Sequence, residues 1–468
     1  MAEYPRDLVG YGRNPPHPRW PGEARICVQF VVNYEEGGES NVLHGDFASE
    51  CFLSEVPTKP WPGQRHMNIE SVYEYGARAG FWRLRRLFVE RGWPVTVFGV
   101  AEALRRGPEA VAAMREDGWE IASHGLRWID YRNFSAEEER AHIGEAIRIH
   151  AEVTGERPTG WYTGRTSEHT LRLVAEEGGF LYTADSYADD LPYWTDQAGH
   201  AQLVVPYTLD ANDMRFATSP GYASGEDFHT YLRDAFDLLY AEGEAAPRMM
   251  SVGLHGRLAG RPGRAAGLAR FLDHVASHEG VWVARRIDVA RHWARHHRPD
   301  WLTPSRMSRA LLAELYGDVF EHSPWVAEGA HAAGLEGAAD TAEGLHAAMS
   351  AVVRAAPRER QLHLLRAHPD LAGRLQVSEM TADSQAEQTG SGLANLTSEE
   401  RDHFVDLNDR YKAKFGFPFI VAVRGHTKDS IRALFEQRLE NDADAEFEAA
   451  LGQVETIARL RLQDRMRA

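Results

Sequence analysis

The sequence predicts an α/β domain of the (β/α) barrel type followed by an all-α helical bundle. From Ala24 to about Trp293, short apolar runs alternate with amphipathic segments of helical period, which is typical of a parallel sheet flanked by helices. Beyond that point the strand signals nearly vanish and helical periods remain. Between the two parts lies Arg291–Pro304, whose composition predicts a linker. We therefore expect one domain at residues 1–300 and a second at residues 305–468.

The first domain contains eight short apolar runs that we predict to be strands. Amphipathic segments such as Ser71–Glu90 and Ala136–Val153 lie between them. The spacing of consecutive runs fits a (β/α) barrel better than an open, doubly wound sheet. The predicted strands are Ile26–Val32, Val95–Val100, Trp119–Ser123, Thr159–Tyr162, Phe180–Thr183, Leu203–Tyr207, Met249–Leu254 and Val281–Ala284.

The second domain shows helical spacing in six segments. One of them carries signals at both ends: Thr397 and Glu400 form a capping-box pattern, and Gly416 follows the last apolar residue as a C-cap. The domain is therefore predicted to be all-α. The predicted helices are Leu311–Phe320, Leu345–Ala355, Leu362–Leu375, Glu399–Phe415, Ser430–Leu439 and Ala445–Leu462.

Length and composition limit the classes of function. A chain of 468 residues with 43% apolar and 26% charged residues predicts a globular protein of two or three domains. A net charge of −17 argues against nucleic acid or an anionic membrane as partner. Two cysteines, Cys27 and Cys51, give no disulfide framework, and Met1–Trp20 lacks the apolar core of a secretory signal. We expect a cytoplasmic homo-oligomer that acts on small molecules.

Polar side chains follow five of the predicted strands, at the point where each strand ends. Catalytic side chains of a parallel barrel gather at these ends. A single polar residue after a strand is usually an ordinary loop residue, but five such ends favour a catalytic pocket. The residues are Glu35, Glu36, His124, Arg165, Asp210, Asn212, Asp213 and His255.

Several segments of this domain resemble, in modified form, the motifs of the polysaccharide deacetylase fold. These segments are Asn33–Gly37, Ser123–Gly125, Trp161–Arg165 and Leu254–Gly256. More closely, Glu70–Gly80 resembles the allantoinase branch of that superfamily. The resemblance implies a deformed (β/α) barrel and an enzyme that opens the hydantoin ring of allantoin to give allantoate.

Two departures from the family motifs concern the metal ion. The deacetylases pair two aspartates after the first strand, one as base and one as metal ligand, whereas this chain has Glu35 and Glu36. They also require a second histidine four residues after the first, and here Trp128 stands four residues after His124. An open catalytic metal site needs at least three protein ligands. We therefore expect chemistry without a metal ion or another cofactor.

Hydrolysis of a cyclic amide needs a base to activate water, an acid for the leaving nitrogen and donors for the oxyanion. We expect Glu35 to be the base and His255 the acid. Trp128 and Trp161 would form flat walls for the planar ring, unless both indoles simply fill the core. The predicted substrate-binding residues of this domain are Glu36, His124, Trp128, Trp161, Arg165 and Asp210.

His368 and Glu387 of the second domain form a pair that can move a proton without a cofactor. Residues 305–468 resemble the 2-oxo-4-hydroxy-4-carboxy-5-ureidoimidazoline (OHCU) decarboxylases along their whole length. The resemblance implies decarboxylation of OHCU to (S)-allantoin. The segments that carry it are Phe320–Glu328, His368–Ala372, Ser384–Gln388, Lys414–Ile420 and Arg438–Asn441.

Loss of CO₂ from this substrate leaves a carbanion delocalised into the ring, so no cofactor is needed as an electron sink. We expect His368 to donate the proton and Glu387 to orient the ring. Arg461 continues an apolar stripe of the last helix, which predicts an inward guanidinium paired with a substrate anion, or else a side chain that snorkels at the helix end. The resemblance adds Pro369, Ser384, Gln388, Phe419 and Ile420 to the pocket.

Three interpretations follow from the sequence. The first is a bifunctional enzyme of urate degradation, in which the second domain makes the allantoin that the first domain opens. The second is a metal-dependent carbohydrate deacetylase with an unrelated helical tail, which the absence of the second histidine disfavours. The third is a decarboxylase with a non-catalytic first domain, which the set of Glu35, Glu36, Arg165 and His255 disfavours.

Overall fold

The structure is a computed structural model that describes residues 6–56, 58–371 and 396–467. The chain forms two compact units, Met1–Pro299 and Asp300–Ala468. Among the described residues, no helix combines the length and the apolar character that a membrane span requires.

A curled sheet forms the centre of the first unit. In the described part of the chain its strands are β1 (Ile26–Tyr34), β2 (Thr96–Gly99), β3 (Glu120–Ser123), β4 (Gly160–Trp161), β5 (Tyr182–Thr183), β6 (Tyr193–Gln197), β7 (His200–Val204), β8 (Arg248–His255) and β9 (Val281–Val283). Their spatial order is β6-β7-β5-β4-β3-β2-β1-β8, with β9 beside β1. All pairs are parallel except β6 with β7. The sheet is a curled half-barrel, and the predicted fold class is confirmed.

Strand β1 is the most enclosed element of this sheet. All nine of its residues are buried. One edge pairs with β8 along Ile26–Asn33, while the other edge pairs first with β9 and then with β2. A strand covered on both faces and both edges favours apolar side chains, which explains the run Ile26–Val32, where Gln29 is the polar exception. The residues that follow β1 emerge between the ends of β2 and β8.

Helices pack against this sheet and form its apolar core. The Phe30 ring of β1 lies 5.1 Å from the ring of Phe88 and 6.3 Å from that of Phe271, so two helices meet over one strand residue. The helices of this unit are α1 (Met67–Tyr75), α2 (Phe81–Val89), α3 (Ala101–Arg106), α4 (Pro108–Glu116), α5 (Ala136–Thr154), α6 (Thr170–Glu177), α7 (Gly225–Glu242), α8 (Pro262–Ala276) and α9 (Arg286–His296). A π-helical turn, Gly76–Gly80, joins α1 to α2.

Two details of the first unit differ from the sequence prediction. Strand β6 is a half-buried edge strand of polar and aromatic residues, and the sequence does not predict it. The linker prediction is wrong in its first part, because Arg291–His296 continues α9. His297, just beyond the end of α9, is half-buried, and its ring stacks 4.1 Å from that of Trp293.

The second unit is helical in the part of the chain that the structure describes. The capping box of Thr397 and Glu400 is present, and Gly416 takes the left-handed conformation with a φ of 79°, so both end signals of that helix are confirmed. The helices are α10 (Arg309–Tyr316), α11 (Trp325–Ala332), α12 (Ala342–Ala355), α13 (Arg358–Arg366), α14 (Ser398–Phe415), α15 (Lys428–Arg438) and α16 (Ala443–Arg467).

Candidate active sites

The C-terminal ends of β1, β3 and β8 bring four titratable side chains together. Glu35 and Glu36 follow β1, His124 follows β3, and His255 is the last residue of β8. Each of the four is at most 5% exposed. Because these strands are parallel and close in the sheet order, their ends meet at one edge.

Glu35 is the centre of this cluster. Its Oε1 lies 3.3 Å from Nε2 of His124 and 3.4 Å from Nε2 of His255. Its Oε2 lies 2.7 Å from Nη2 of Arg257. Burial alone would raise the pKa of Glu35, but the charges of Arg257 and His255 and the contacts with both imidazoles hold it well below its usual value. Glu35 is therefore an anion surrounded by cationic and donor groups.

His255 is held by a second carboxylate, Asp213. The backbone N–H of His255 donates to Asp213 Oδ2 over 2.7 Å, and the ring Nδ1 lies 2.6 Å from Asp213 Oδ1. Burial lowers the pKa of His255, but Asp213 and Glu35 outweigh it and raise the pKa to about 9. At neutral pH the ring is an imidazolium, which is the protonation state of a general acid.

Asp210, the predicted substrate-binding residue of this turn, lies elsewhere. It is exposed, and its carboxylate accepts from Thr208 Oγ1 and Tyr231 Oη. Asn212 caps the short helix that begins at Asp213 and thereby aims Asp213, not Asp210, at His255. Contact of Asp210 with substrate stays a prediction.

Glu36 is the carboxylate with the pKa nearest neutrality. Burial raises its pKa to about 7; Arg257 lowers it and Glu35 raises it. Its Oε2 accepts from the backbone N–H of Glu35 over 3.1 Å. A Cβ at Gly76 would lie 2.1 Å from Glu36 Oε1, so the π-helical turn can approach the site only because residue 76 is glycine. The Glu70–Gly80 motif therefore lies against the carboxylate.

Trp128 and Arg165 form one side of the site. The guanidinium of Arg165 lies 3.7 Å from the Trp128 ring centroid and 3.3 Å from Glu50 Oε2. The Trp128 ring centroid also lies 5.2 Å from the guanidinium of Arg257, the partner of Glu35. Trp128 therefore connects the carboxylate cluster to a second cation.

Trp161 lies in the apolar core. Its ring packs in a cluster with Ile143, Leu173 and Phe180, and its Nε1 donates to Thr163 Oγ1 over 2.8 Å. The alternative of core filling therefore fits Trp161, and we do not retain it as a substrate wall.

Arg257 and Tyr73 are site residues that the sequence does not single out. Arg257 is fully buried, and its guanidinium lies 4.4 Å from the Tyr73 ring centroid. Within the described residues, Arg257 Nη1, Tyr73 Oη, His124 Nδ1 and Glu36 Oε1 are buried without a hydrogen-bond partner. Buried polar atoms without partners are costly in a protein interior, and a group of them at one place is typical of a site that binds a polar ligand.

The residues present do not fit the metal centre that the deacetylase motifs would supply. Glu36 and His124 correspond to two of its ligands, but the third position is Trp128, whose indole nitrogen is a donor without a lone pair for a metal. Arg257 places a fixed positive charge beside Glu35 instead. We derive no step through a metal ion at this site.

In the second unit, His368 lies two residues beyond the end of α13 and is buried. Its Nδ1 donates to the carbonyl of Leu364 over 3.0 Å, which leaves Nε2 for proton exchange. Burial lowers the pKa of His368 more than Glu321 and the bond to Leu364 raise it. A cavity of about 360 Å³ lies beside the ring, with Arg366 and Lys412 among its lining residues.

Glu321 and Arg461 form a buried ion pair near His368. Arg461 Nη1 lies 2.5 Å from Glu321 Oε2, and the two side chains are 3% and 0% exposed. The prediction that Arg461 points inward is confirmed, but it contacts a protein carboxylate that the sequence does not single out. Glu321 has a φ of 47°, a strained conformation for a residue with a side chain.

The other predicted residues of this pocket are less informative. Pro369 is half-buried beside His368. The Phe419 ring stacks 3.9 Å from that of Phe435, and the Ile420 carbonyl accepts from Arg438 over 2.7 Å, so both belong to packed structure. Their contact with substrate stays a prediction. Ser384, Glu387 and Gln388 lie outside the described residues.

Comparisons with known proteins agree with this division into two units. The polysaccharide deacetylase family profile matches residues 66–182, and the OHCU decarboxylase profile matches residues 305–463. A Schizosaccharomyces pombe protein described as a polysaccharide deacetylase is 43% identical over 314 residues, which are 62% of this chain and 98% of that protein.

One solved structure and one further relative cover the two units separately. The crystal structure of PuuE allantoinase has 59% sequence identity and a TM-score of 0.62, and the match covers 63% of this chain and 99% of that chain. An OHCU decarboxylase of Haloferax volcanii is 42% identical over 161 residues, which are 34% of this chain and 92% of that protein. The chain therefore belongs to the polysaccharide deacetylase family through its first unit and to the OHCU decarboxylase family through its second.

Proposed function

We propose that this chain is a bifunctional enzyme of urate degradation. The second unit decarboxylates OHCU to (S)-allantoin, and the first unit hydrolyses the allantoin ring to allantoate. The observation that carries the proposal is that each unit holds its own buried proton-transfer cluster, around Glu35 and His255 in one and around His368 in the other. The product of one reaction is the substrate of the next.

In the first unit, a water molecule attacks a ring carbonyl carbon and the C–N bond of the ring breaks. The imidazolium of His255 donates its proton to the leaving nitrogen, since its pKa of about 9 keeps it charged. Arg257 and Tyr73 supply donors for the oxyanion. Arg165, whose guanidinium lies 3.7 Å from the Trp128 ring centroid, and His124 bind the polar edge of the substrate ring.

The proton of the attacking water needs an acceptor. The sequence assigns this role to Glu35, but a carboxylate whose pKa lies well below its usual value is a weak base. Glu36, with a pKa of about 7, is matched to neutral pH. We therefore assign proton acceptance to Glu36, while Glu35 remains a catalytic group that orients the water and keeps His255 protonated.

In the second unit, the C–C bond to the carboxylate breaks and its electron pair stays on the ring carbon. The imidazolium form of His368, whose Nδ1 donates to the Leu364 carbonyl, delivers the proton of Nε2 to that carbon, and the neutral ring then takes a proton back from water. Arg366 and Lys412 line the adjacent cavity together with Asp370, which pairs with Lys412 over 2.6 Å, so these three groups leave one net positive charge to attract the anionic substrate. Glu387 orients the ring, as the resemblance implies.

A direct test supplies the full chain with OHCU and measures allantoin, its chirality and allantoate. Formation of (S)-allantoin followed by allantoate supports the proposal. Decarboxylation without ring opening would instead mean a non-catalytic first unit. Release of acetate from acetylated sugars, with no reaction on allantoin, would identify a carbohydrate deacetylase.

Chelation is expected to leave allantoin hydrolysis unchanged. Trp128 occupies the position of a metal ligand and Arg257 supplies a fixed charge, so the first site does not need an ion. The measurement is the hydrolysis rate of the full chain before and after exhaustive treatment with EDTA. Loss of activity with EDTA and its recovery with Zn²⁺ would show that the metal-free assignment is wrong.

The replacement Glu321→Gln is expected to destabilise the second unit and slow decarboxylation. It removes the negative charge from the buried pair with Arg461, a change that costs about 3–5 kcal/mol in comparable buried pairs. It also removes a charge that raises the pKa of His368. Thermal unfolding and the pH dependence of decarboxylation measure the two effects.

A matched control for this prediction is Glu448→Gln, which breaks the exposed pair with Arg354 and should change neither quantity. The double replacement of Glu321 and Arg461 by glutamine should recover part of the stability, because both buried charges of the pair are then removed. Equal unfolding temperatures for Glu321→Gln and Glu448→Gln would contradict the assigned role of the buried pair.

We also infer that the protein works in the cytoplasm as a homo-oligomer on small-molecule substrates. The two cysteines are free, which agrees with a reducing compartment. Light scattering of the purified chain measures the oligomeric state, and a mass of one chain would refute that part of the inference.

A further inference from the structure

A second cluster of metal-ligand side chains lies in the first unit, away from the carboxylate site. It joins Asp237 of α7 to His274 of α8 and His278, just beyond the end of α8. His274 and His278 are four positions apart and share one face of the helical turn. This spacing lets both imidazoles face the Asp237 carboxylate of α7 where helices α7 and α8 pack together.

The geometry of these three residues suits a small divalent ion. One ligand atom from each residue lies within 4.8 Å of the other two. The His274 Nε2 is 2.6 Å from Asp237 Oδ1. The Nδ1 of His278 contacts the carbonyl of His274 at 2.8 Å, which leaves Nε2 of His278 as its ligand atom. Donors around a tetrahedral Zn²⁺ at about 2.1 Å lie roughly 3.4 Å apart, so small side-chain rotations close the site.

Neighbouring aromatic rings hold the imidazoles in place. The His278 ring lies 5.1 Å from Phe236 and 5.0 Å from Tyr240, and the His274 ring lies 5.6 Å from Phe236. The two imidazole rings are 4.7 Å apart. A plain hydrogen bond between His274 and Asp237 would not require a second imidazole at this distance, whereas a metal ion uses both.

The cluster lies at the opposite edge of the sheet from Glu35. Helix α7 ends at Glu242 shortly before β8 begins at Arg248, and α8 ends at Ala276 shortly before β9 begins at Val281. Both helix ends therefore lie where strands begin, while the catalytic side chains lie where strands end. In barrels of parallel strands, residues at the edge where the strands begin contribute to stability rather than to catalysis.

We propose that Asp237, His274 and His278 bind one Zn²⁺ ion, or a first-row divalent ion of similar ligand preference, that cross-links α7 to α8. Two imidazole nitrogens and one carboxylate oxygen are a ligand set that Zn²⁺ accepts, with its fourth position open to water. The ion has a structural role and takes no part in allantoin hydrolysis.

The test titrates the metal-stripped full chain with Zn²⁺ by calorimetry and follows the unfolding temperature. We expect one Zn²⁺ per chain and a higher unfolding temperature with the ion bound. Both effects should be lost, or binding weakened at least about tenfold, in His278→Ala and in Asp237→Asn. Asp237 is half exposed, so its variant keeps the fold and serves if His278→Ala is unstable.

The matched control is His296→Ala, because His292 and His296 form another histidine pair spaced four apart, with rings 4.7 Å apart. This variant should bind Zn²⁺ as the unaltered chain does. No binding to the unaltered chain, binding retained in either site variant, or binding lost in His296→Ala would each overturn the proposal. The outcome is independent of the proposed enzymatic activities, since neither readout is a reaction rate.

Discussion

Asparagine in place of His368 is expected to abolish catalysed decarboxylation, while allantoin hydrolysis by the same preparation continues at the unaltered rate. The side chain of asparagine can keep a hydrogen bond to the Leu364 carbonyl, but its amide cannot carry the proton that Nε2 delivers. The first unit has its own cluster around Glu35, which this change does not touch. Separate assays with OHCU and with allantoin measure the two rates.

The control for this variant is His363→Asn, which alters an exposed histidine of helix α13, just before His368. It should leave both reactions unchanged. A His368→Asn protein that loses both activities together would mean that the two units depend on each other. One that still decarboxylates OHCU would show that another group donates the proton.

The second large effect is expected when Glu35 or Glu36 is replaced by glutamine. The two replacements should change the pH profile of allantoin hydrolysis in different ways. Allantoin hydrolysis should follow a bell-shaped pH profile: the rate falls below about pH 7 as Glu36 takes up a proton, and above about pH 9 as His255 loses one. Glu36→Gln should lower turnover by roughly 10²–10⁴ and remove the acidic limb.

Glu35→Gln should move both limbs to lower pH and remove neither. It removes a negative charge 3.4 Å from the His255 ring, so the pKa of His255 falls and the alkaline limb moves. The same charge raises the pKa of Glu36, so its loss also moves the acidic limb. Full pH–rate profiles of both variants distinguish the roles. An acidic limb that survives in Glu36→Gln and disappears in Glu35→Gln would make Glu35 the base, as the sequence suggests.

Glu120→Gln provides a control for the loss of a buried carboxylate as such. Glu120 is 8% exposed and lies at the start of β3, where it accepts from Thr96 and Tyr182, far along the strand from His124. The position of neither limb should change in this variant. If the limbs of the pH profile moved as far in Glu120→Gln as in Glu35→Gln, the effect of Glu35→Gln could not be attributed to the short distance between Glu35 and His255.

The sequence predicts the fold well where burial alone decides the structure. Buried strands such as β1 are apolar on both faces and stand out from their surroundings. Strand β6 does not, because an edge strand of half-exposed Tyr, Trp, Thr, Asp and Gln resembles a loop. The histidines of helix α9 made its sequence resemble a linker, although the Asp288 carboxylate accepts from the backbone N–H of Arg285 at the helix start. Tertiary packing against Trp293 partly buries His297.

The sites are predictable as far as strand order fixes them. Glu35, His124 and His255 meet because parallel strands end together, a rule that can be applied to a sequence. The choice between Asp210 and Asp213 depends on a short capped turn and cannot be made from spacing. Glu321 has a left-handed φ, which the sequence does not predict for a glutamate. Arg257 is fully buried although arginines are mostly exposed, so its place in the site cannot be predicted from the sequence either.

The pairing of β1 with β8 also fixes when, during synthesis, an active first unit can exist. Ile26 pairs with Arg248 and Asn33 with His255, so the strand that leaves the ribosome first waits for a neighbour about 220 residues later, on the order of 10–40 s at ordinary translation rates. Until then the apolar edge of β1 is unpaired and open to wrong partners. A nascent chain shorter than about 255 residues therefore lacks His255 and has no complete catalytic centre, and the unpaired edge of its first strand is a segment that a chaperone would protect.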